Sequence, residues 1–132
     1  GEQPLPPYGA CLLGSINLTR FVEDPFTPGA RVDEGELAEV TALAVRLLDN
    51  VIDVSNYPLP AQRDEAHGKR RIGLGLTGLA DALAMCGFVY GSAEAAEAAG
   101  RWMQVIEEAA YRSSIGLARE RGAFPRFDAA RS

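Results

Sequence analysis

Residues 33–54 read Asp33-Glu34-Gly35-Glu36-Leu37-Ala38-Glu39-Val40-Thr41-Ala42-Leu43-Ala44-Val45-Arg46-Leu47-Leu48-Asp49-Asn50-Val51-Ile52-Asp53-Val54. Asp33, followed three places on by Glu36, has the spacing of a capping box with Asp in the Ser or Thr position. From there Leu37, Val40, Ala44, Leu47, Val51 and Val54 recur at steps of three and four, the period of one helical face. The pattern predicts a helix over 34–54. Leu43, Leu48 and Ile52 widen its apolar stripe, so contacts on two sides are expected. Ser55-Asn56-Tyr57-Pro58-Leu59-Pro60 ends the helix, because proline holds the residue before it extended.

Downstream, the polar run Ala61 to Arg71 predicts a turn of helix followed by a solvated linker. Leu76, Leu79, Ala80, Leu83 and Ala84 then share one helical face over 76–86, and Gly87 is a left-handed stop. Ser92 is placed to cap a long helix over 93–121, with Ala95, Ala99, Trp102, Ile106, Ala109, Ser113 and Leu117 inward and Gly122 just past its end. Ala123 to Phe127 reads as an irregular aromatic segment.

Upstream, Pro4-Leu5-Pro6-Pro7-Tyr8-Gly9 is an extended arm or turn, since three prolines remove backbone donors. Ala10 to Leu18, ACLLGSINL, suits a short strand, and Glu23 to Arg31, with Pro25, Pro28 and Gly29, suits a loop. The fold class is therefore mainly α-helical with one or two short strands. Residues 1–132 form a single segment, with an extended arm and strand over 1–31 and a helical region over 32–132.

The chain has 132 residues, 47% hydrophobic and 23% charged, which is the composition of a globular domain rather than of a disordered or collagen-like chain. A net charge of −5 argues against a protein that tracks nucleic-acid phosphates. No apolar run approaches a membrane span, and no signal peptide is visible, so a cytoplasmic setting is expected. Two cysteines, Cys11 and Cys86, are too few for a secreted disulfide framework and match no paired metal-ligand spacing. The opening Gly1-Glu2-Gln3 lacks an initiator methionine, as a fragment would.

Bare chemistry names no reaction. Gly73-Leu74-Gly75-Leu76-Thr77-Gly78 fits G-x-G-x-x-G, but the dinucleotide reading needs a preceding strand and a suitably placed acidic residue, and a polar run stands before it instead. Close backbone packing explains those glycines better. His67 is the lone histidine, which excludes a multi-histidine site and suits a solvated loop. Lys69-Arg70-Arg71 reads as an exposed basic run. Cys11 and Cys86 are taken as small buried hydrophobes, and Glu2 as a surface charge.

Three collinear stretches nevertheless resemble one family. Residues 1–18, GEQPLPPYGACLLGSINL, resemble the ribonucleotide reductase catalytic chain where it continues from Asn-Pro-Cys. Residues 71–81, RIGLGLTGLAD, are similar to its R-I-G-x-G-x-x-G-L-A-D segment, and 122–127, GAFPRF, to its G-A-F-P-x-F turn. The short linker between Glu2 and Cys11 is most similar to the adenosylcobalamin-dependent class. The resemblance implies a segment of a ten-stranded α/β barrel, with short strands near 10–18 and 71–75, that reduces ribonucleoside diphosphates or triphosphates by thiyl-radical chemistry. It implies Glu2 as base for the 3′ hydroxyl and Cys11 as one of two thiols that become a disulfide, while Cys86 matches no functional position.

Adenosylcobalamin, the ribonucleotide substrate and a thioredoxin-like reductant are the implied cofactor and partners. Because the radical cysteine, the other redox thiol and the phosphate loop fall outside residues 1–132, the isolated chain is expected to be inactive, and because its strand edges and two-sided apolar helix lack the partners a barrel would supply, it is expected to self-associate. The rival expectation is a non-catalytic helical interaction domain derived from the reductase.

Overall fold

The computed structural model describes residues 4–130. Strand β1 (Leu12–Asn17) leads into a 3₁₀ turn over Leu18–Phe21, then into a two-residue hairpin of β2 (Val22–Glu23) and β3 (Arg31–Val32). Helix α1 (Glu34–Val54), helix α2 (Pro60–Lys69), strand β4 (Ile72–Thr77), helix α3 (Leu79–Met85) and helix α4 (Ala93–Arg121) follow. The expected loop over 23–31 is thus tied at its ends by the β2–β3 ladder, with Val22 opposite Val32 and an Arg31–Glu23 ion pair.

Helix α1 has the predicted bounds, and Asp33 caps it by accepting from the Glu36 N–H at 2.9 Å. Its buried stripe has a different phase from the predicted one. Leu37, Thr41, Val45, Leu48 and Ile52 are buried, whereas Leu43, Leu47 and Val54 are exposed. Thr41 makes this possible: its hydroxyl donates to the Leu37 carbonyl at 2.7 Å, which offsets the cost of burying a polar group.

Helix α4 also has the predicted bounds, with the Ser92 hydroxyl accepting from the Ala95 N–H at 3.1 Å. Ala95, Trp102, Ile106 and Leu117 are buried as expected, and Ala98 replaces Ala99 on the innermost line. Gly122 ends the helix with φ 89° and ψ 159°, a positive-φ conformation outside the left-handed helical well.

The middle of the chain departs most from expectation. Residues 60–69 form a ten-residue helix rather than a solvated linker, with Pro60 in its first turn and the Gln62 side chain accepting from the Leu59 N–H. The glycine-rich run is strand as far as Thr77, so α3 is shorter than expected: Leu76 belongs to β4, and Ala80 and Ala84 are exposed while Ala82 and Leu83 are buried. Gly78, at φ 69°, makes the turn from strand to helix.

Strands β1 and β4 pair in parallel, from Leu12 beside Ile72 to Asn17 beside Thr77. Helices α1 and α4 run in the same direction too: Glu34 meets Arg101, the Ala42 carbonyl accepts from Ser113, and Asp49 meets Arg121. The molecule therefore lays two β-then-α units side by side. One core joins them, built from Ile16, Leu18, Phe21, Leu37, Leu83, Trp102 and Ile106, with Phe88 edge-on to Trp102.

Candidate functional site

Glu2 lies outside the described residues. Cys11 stands immediately before β1, after a turn in which the Gly9 N–H donates to the Pro6 carbonyl at 2.8 Å. The Leu12 N–H reaches the Arg71 carbonyl at 3.3 Å, so the two strands are already joined beside the thiol. Cys11 is half-buried, with Sγ 4.0 Å from the Leu12 carbonyl oxygen.

The parallel pair has two unlike faces. On one, Gly14 packs towards Leu48 and Leu74, and Ile16 enters the core. On the other, Leu13, Ser15, Asn17 and Thr77 are exposed. Cys11 belongs to this second face, because a Cβ built on Gly73 would lie 3.6 Å from its Sγ and 2.7 Å from Leu13 Cδ2. Gly73 is the register partner of Leu13, and its missing side chain is what lets Leu13 lie across β4. The sequence reading attributed the 73–78 glycines to close backbone packing, and here Gly73 permits close approach of a side chain. The dinucleotide reading fails on topology, since Gly73 and Gly75 lie inside a strand rather than in the turn after one. Beside the start of β4, the Arg71 Nη1 nitrogen is buried without a hydrogen-bond acceptor among the described residues.

Cys86 is a different kind of thiol. It caps the end of α3 and packs against the core, and burial pushes its pKa above the ordinary value. The core assignment made from the sequence fits this setting.

A second cluster of charge joins the C-terminal ends of α1, α2 and α4 around a cleft of about 370 Å³. His67 lies on α2 rather than in a loop, 3.9 Å from Asp53 and edge-on to Tyr57. Arg70 is not an exposed basic residue: it donates to Asp49 Oδ1 at 2.8 Å, to the Asp49 carbonyl at 2.9 Å and to both oxygens of Asp53. These hydrogen bonds raise the Arg70 pKa and, with its charge, hold the Asp53 carboxyl below the usual carboxylate range. Arg121 takes the remaining Asp49 oxygen, Lys69 pairs with Glu65, and Arg126 of the tail pairs with Glu65 while its N–H donates to the Gly68 carbonyl. With its cations engaged by carboxylates, the cluster fastens helix ends and the 122–127 tail together instead of offering a phosphate site. The polar appearance of 61–71 hid it, since its partners come from α1 and α4.

No group of three or more potential metal ligands occurs among the described residues. No described helix is long and apolar enough to cross a membrane.

A family model described as the ribonucleotide reductase barrel domain matches residues 1–132. A vitamin B12-dependent ribonucleoside-diphosphate reductase of Mycobacterium tuberculosis is 52% identical over 127 residues, covering 96% of this chain and 18% of the relative. The reductase of the same description from Thermoplasma acidophilum is 42% identical over 125 residues, covering 95% and 16%. A ribonucleoside-diphosphate reductase subunit alpha of Chlamydia trachomatis is 40% identical over 114 residues, covering 86% and 10%. The chain thus spans less than a fifth of the length of these curated relatives.

Proposed function

Since the chain belongs to the ribonucleotide reductase barrel-domain family, we propose that it supplies two adjacent β–α units of a reductase barrel and one of the thiols that reduce the ribose. The observation that carries this reading is the placement of Cys11 at the mouth of the parallel pair, on the sheet face turned away from the helical core. Side-by-side parallel units with helices on one face are the repeat from which parallel barrels close, and the strand face turned away from the helices becomes the barrel interior.

In the proposed reaction Cys11 and a second thiol of the same polypeptide each give up a hydrogen. The C2′–OH bond of the ribonucleotide becomes C2′–H, the oxygen leaves as water, and the two sulfurs join in a disulfide. A dithiol protein of thioredoxin type then restores the pair by exchange. Glu2 is proposed to take the proton of the 3′ hydroxyl and later return it, a role that needs a carboxylate within hydrogen-bond reach of that oxygen. The names of the relatives support a ribonucleoside diphosphate as substrate.

Two of the relatives are described as vitamin B12-dependent, which supports adenosylcobalamin as the radical source of the complete enzyme. The residues described here do not fit that group: the one imidazole is engaged with Asp53 and Tyr57 in the ion-paired cleft. Its site is assigned to other parts of the polypeptide, and no step above passes through it.

The test is Cys11→Ser and Glu2→Gln in a complete reductase that carries this sequence, assayed for steady-state reduction of ribonucleoside diphosphates. Each is expected to lower turnover about a hundredfold or more. Near-normal turnover in Cys11→Ser would overturn the reading.

A further inference from the structure

Gly73 and Leu13 form a steric pair on the sheet face that holds Cys11. They are register partners on parallel strands, so their side chains project to the same side. A Cβ on residue 73 would come within 2.7 Å of Cδ2, the far end of the exposed Leu13 side chain, so that Leu13 must swing aside, and within ordinary contact, 3.6 Å, of Cys11 Sγ. Two positions on and on the same face, a Cβ at Gly75 would meet nothing nearer than Ser15 Oγ at 3.9 Å and the Gly14 carbonyl oxygen at 4.0 Å. Neither glycine has the positive φ that would call for glycine on backbone grounds. What distinguishes Gly73 is therefore the side chain it must accommodate.

We infer that Gly73 is a positioning residue for the Cys11 thiol: by carrying no side chain it lets Leu13 lie across β4, and the space so arranged fixes how Sγ is presented on the open face. This rests on the reading that Cys11 is a redox thiol. A methyl group at 73 drives the Leu13 side chain off its seat and into the space in front of Sγ, so an incoming disulfide has a poorer line of attack on the sulfur. The exchange step is ordinary: the Cys11 thiolate attacks one sulfur of the probe, a mixed disulfide forms and the other thiolate leaves.

The experiment uses the 132-residue chain with Cys86→Ser, so that Cys11 is the one thiol, and measures its second-order rate with 5,5′-dithiobis(2-nitrobenzoate). Gly73→Ala is expected to slow the reaction at least fivefold, and Gly75→Ala to leave it within twofold. Adding Leu13→Ala to Gly73→Ala removes the clashing group and is expected to bring the rate back to within twofold of the starting chain. That recovery separates positioning from general damage, because a merely misfolded Gly73→Ala chain would not be repaired by deleting a second apolar side chain. An unchanged rate in Gly73→Ala, or a double variant as slow as the single one, would overturn the inference. Should Gly73→Ala fail to fold, the double variant and Leu13→Ala alone still decide it: both must fold and react no more than twofold slower than the starting chain. Because the rate concerns sulfur presentation alone, its outcome is independent of the turnover of Cys11→Ser in the complete enzyme, and the two readings fail separately.

Discussion

Removing the Arg70 side chain should unfasten the C-terminal end of α1 from the approach to β4, by an amount the structure sets. The guanidinium is 20% exposed and donates four hydrogen bonds to Asp49 and Asp53, whose side chains are 14% and 47% exposed. Breaking a fully buried pair from one side costs about 3–5 kcal/mol. An exposed pair is worth about 0–1 kcal/mol. Arg70 lies between these limits, so Arg70→Ala should cost about 2–3 kcal/mol. The backbone adds a second contribution that can be separated from the first. Arg70 sits at φ 47° and ψ 48°, a conformation that costs an L-residue roughly 1–2 kcal/mol and glycine almost nothing. Arg70→Gly loses the same ion pairs but relieves this strain, so it should be more stable than Arg70→Ala by about 1 kcal/mol. Urea unfolding followed by the fluorescence of the buried Trp102 measures both. With a slope of about 2 kcal/mol per molar urea, the midpoint should fall by roughly 1–1.5 M for Ala and by about half that for Gly. A loss under about 0.5 kcal/mol in Arg70→Ala, or a glycine variant less stable than the alanine one, would refute the reasoning.

Two further outcomes follow from the same features. Hydrogen bonds from Arg70 hold the Asp53 carboxyl below its ordinary range, so its contribution is fully present above the unfolded-chain value of about 4 and is lost as pH falls through the lower folded value. The difference in urea midpoint between the starting chain and Arg70→Ala should hold from about pH 7 to pH 5 and shrink below about pH 4; a constant difference down to pH 3 would contradict it. Leu43 and Leu47 are exposed on α1, and Leu47 lines the cleft between α1 and β1, so the 132-residue chain should self-associate as concentration rises, and Leu47→Glu should weaken that association. Light scattering that gives a constant monomer mass at all concentrations would exclude it.

The two long helices were legible because each carries its own boundary signals. Asp33 and Ser92 bond the backbone of the turns they begin, and neither needs help from elsewhere in the chain. The phase of the α1 stripe was not legible from hydrophobicity, because Thr41 is buried through a bond to its own helix while Leu43 and Leu47 face outwards. The full length of helix α2 was not legible, beyond the turn of helix expected at its start, because what stabilises it is not local: Arg126 reaches Glu65 from the tail, and Arg70 at its end reaches two carboxylates of α1. The strand in the glycine run is likewise set by its parallel partner β1 and not by its own composition. Cys11 was singled out by resemblance alone; its spacing to other residues carries no signal. Had the glycine at 73 been weighed against the bulky Leu13, the register needed to pair them would still have been missing from a single sequence.

The pairing of Leu12 with Ile72 joins positions sixty apart in the chain, with α1 and α2 lying between them. Closing a loop of that length costs roughly 3.6 kcal/mol of chain entropy before any strand contact repays it. Helices α1 and α4 can nucleate from their own caps, whereas the β1–β4 ladder has to wait for an encounter between distant segments. The surroundings of Cys11 should thus be among the last parts of the molecule to form during refolding. A thiol that answers uniformly to a reagent until the ladder closes, and differently afterwards, would give this chain a built-in clock for its slowest folding event.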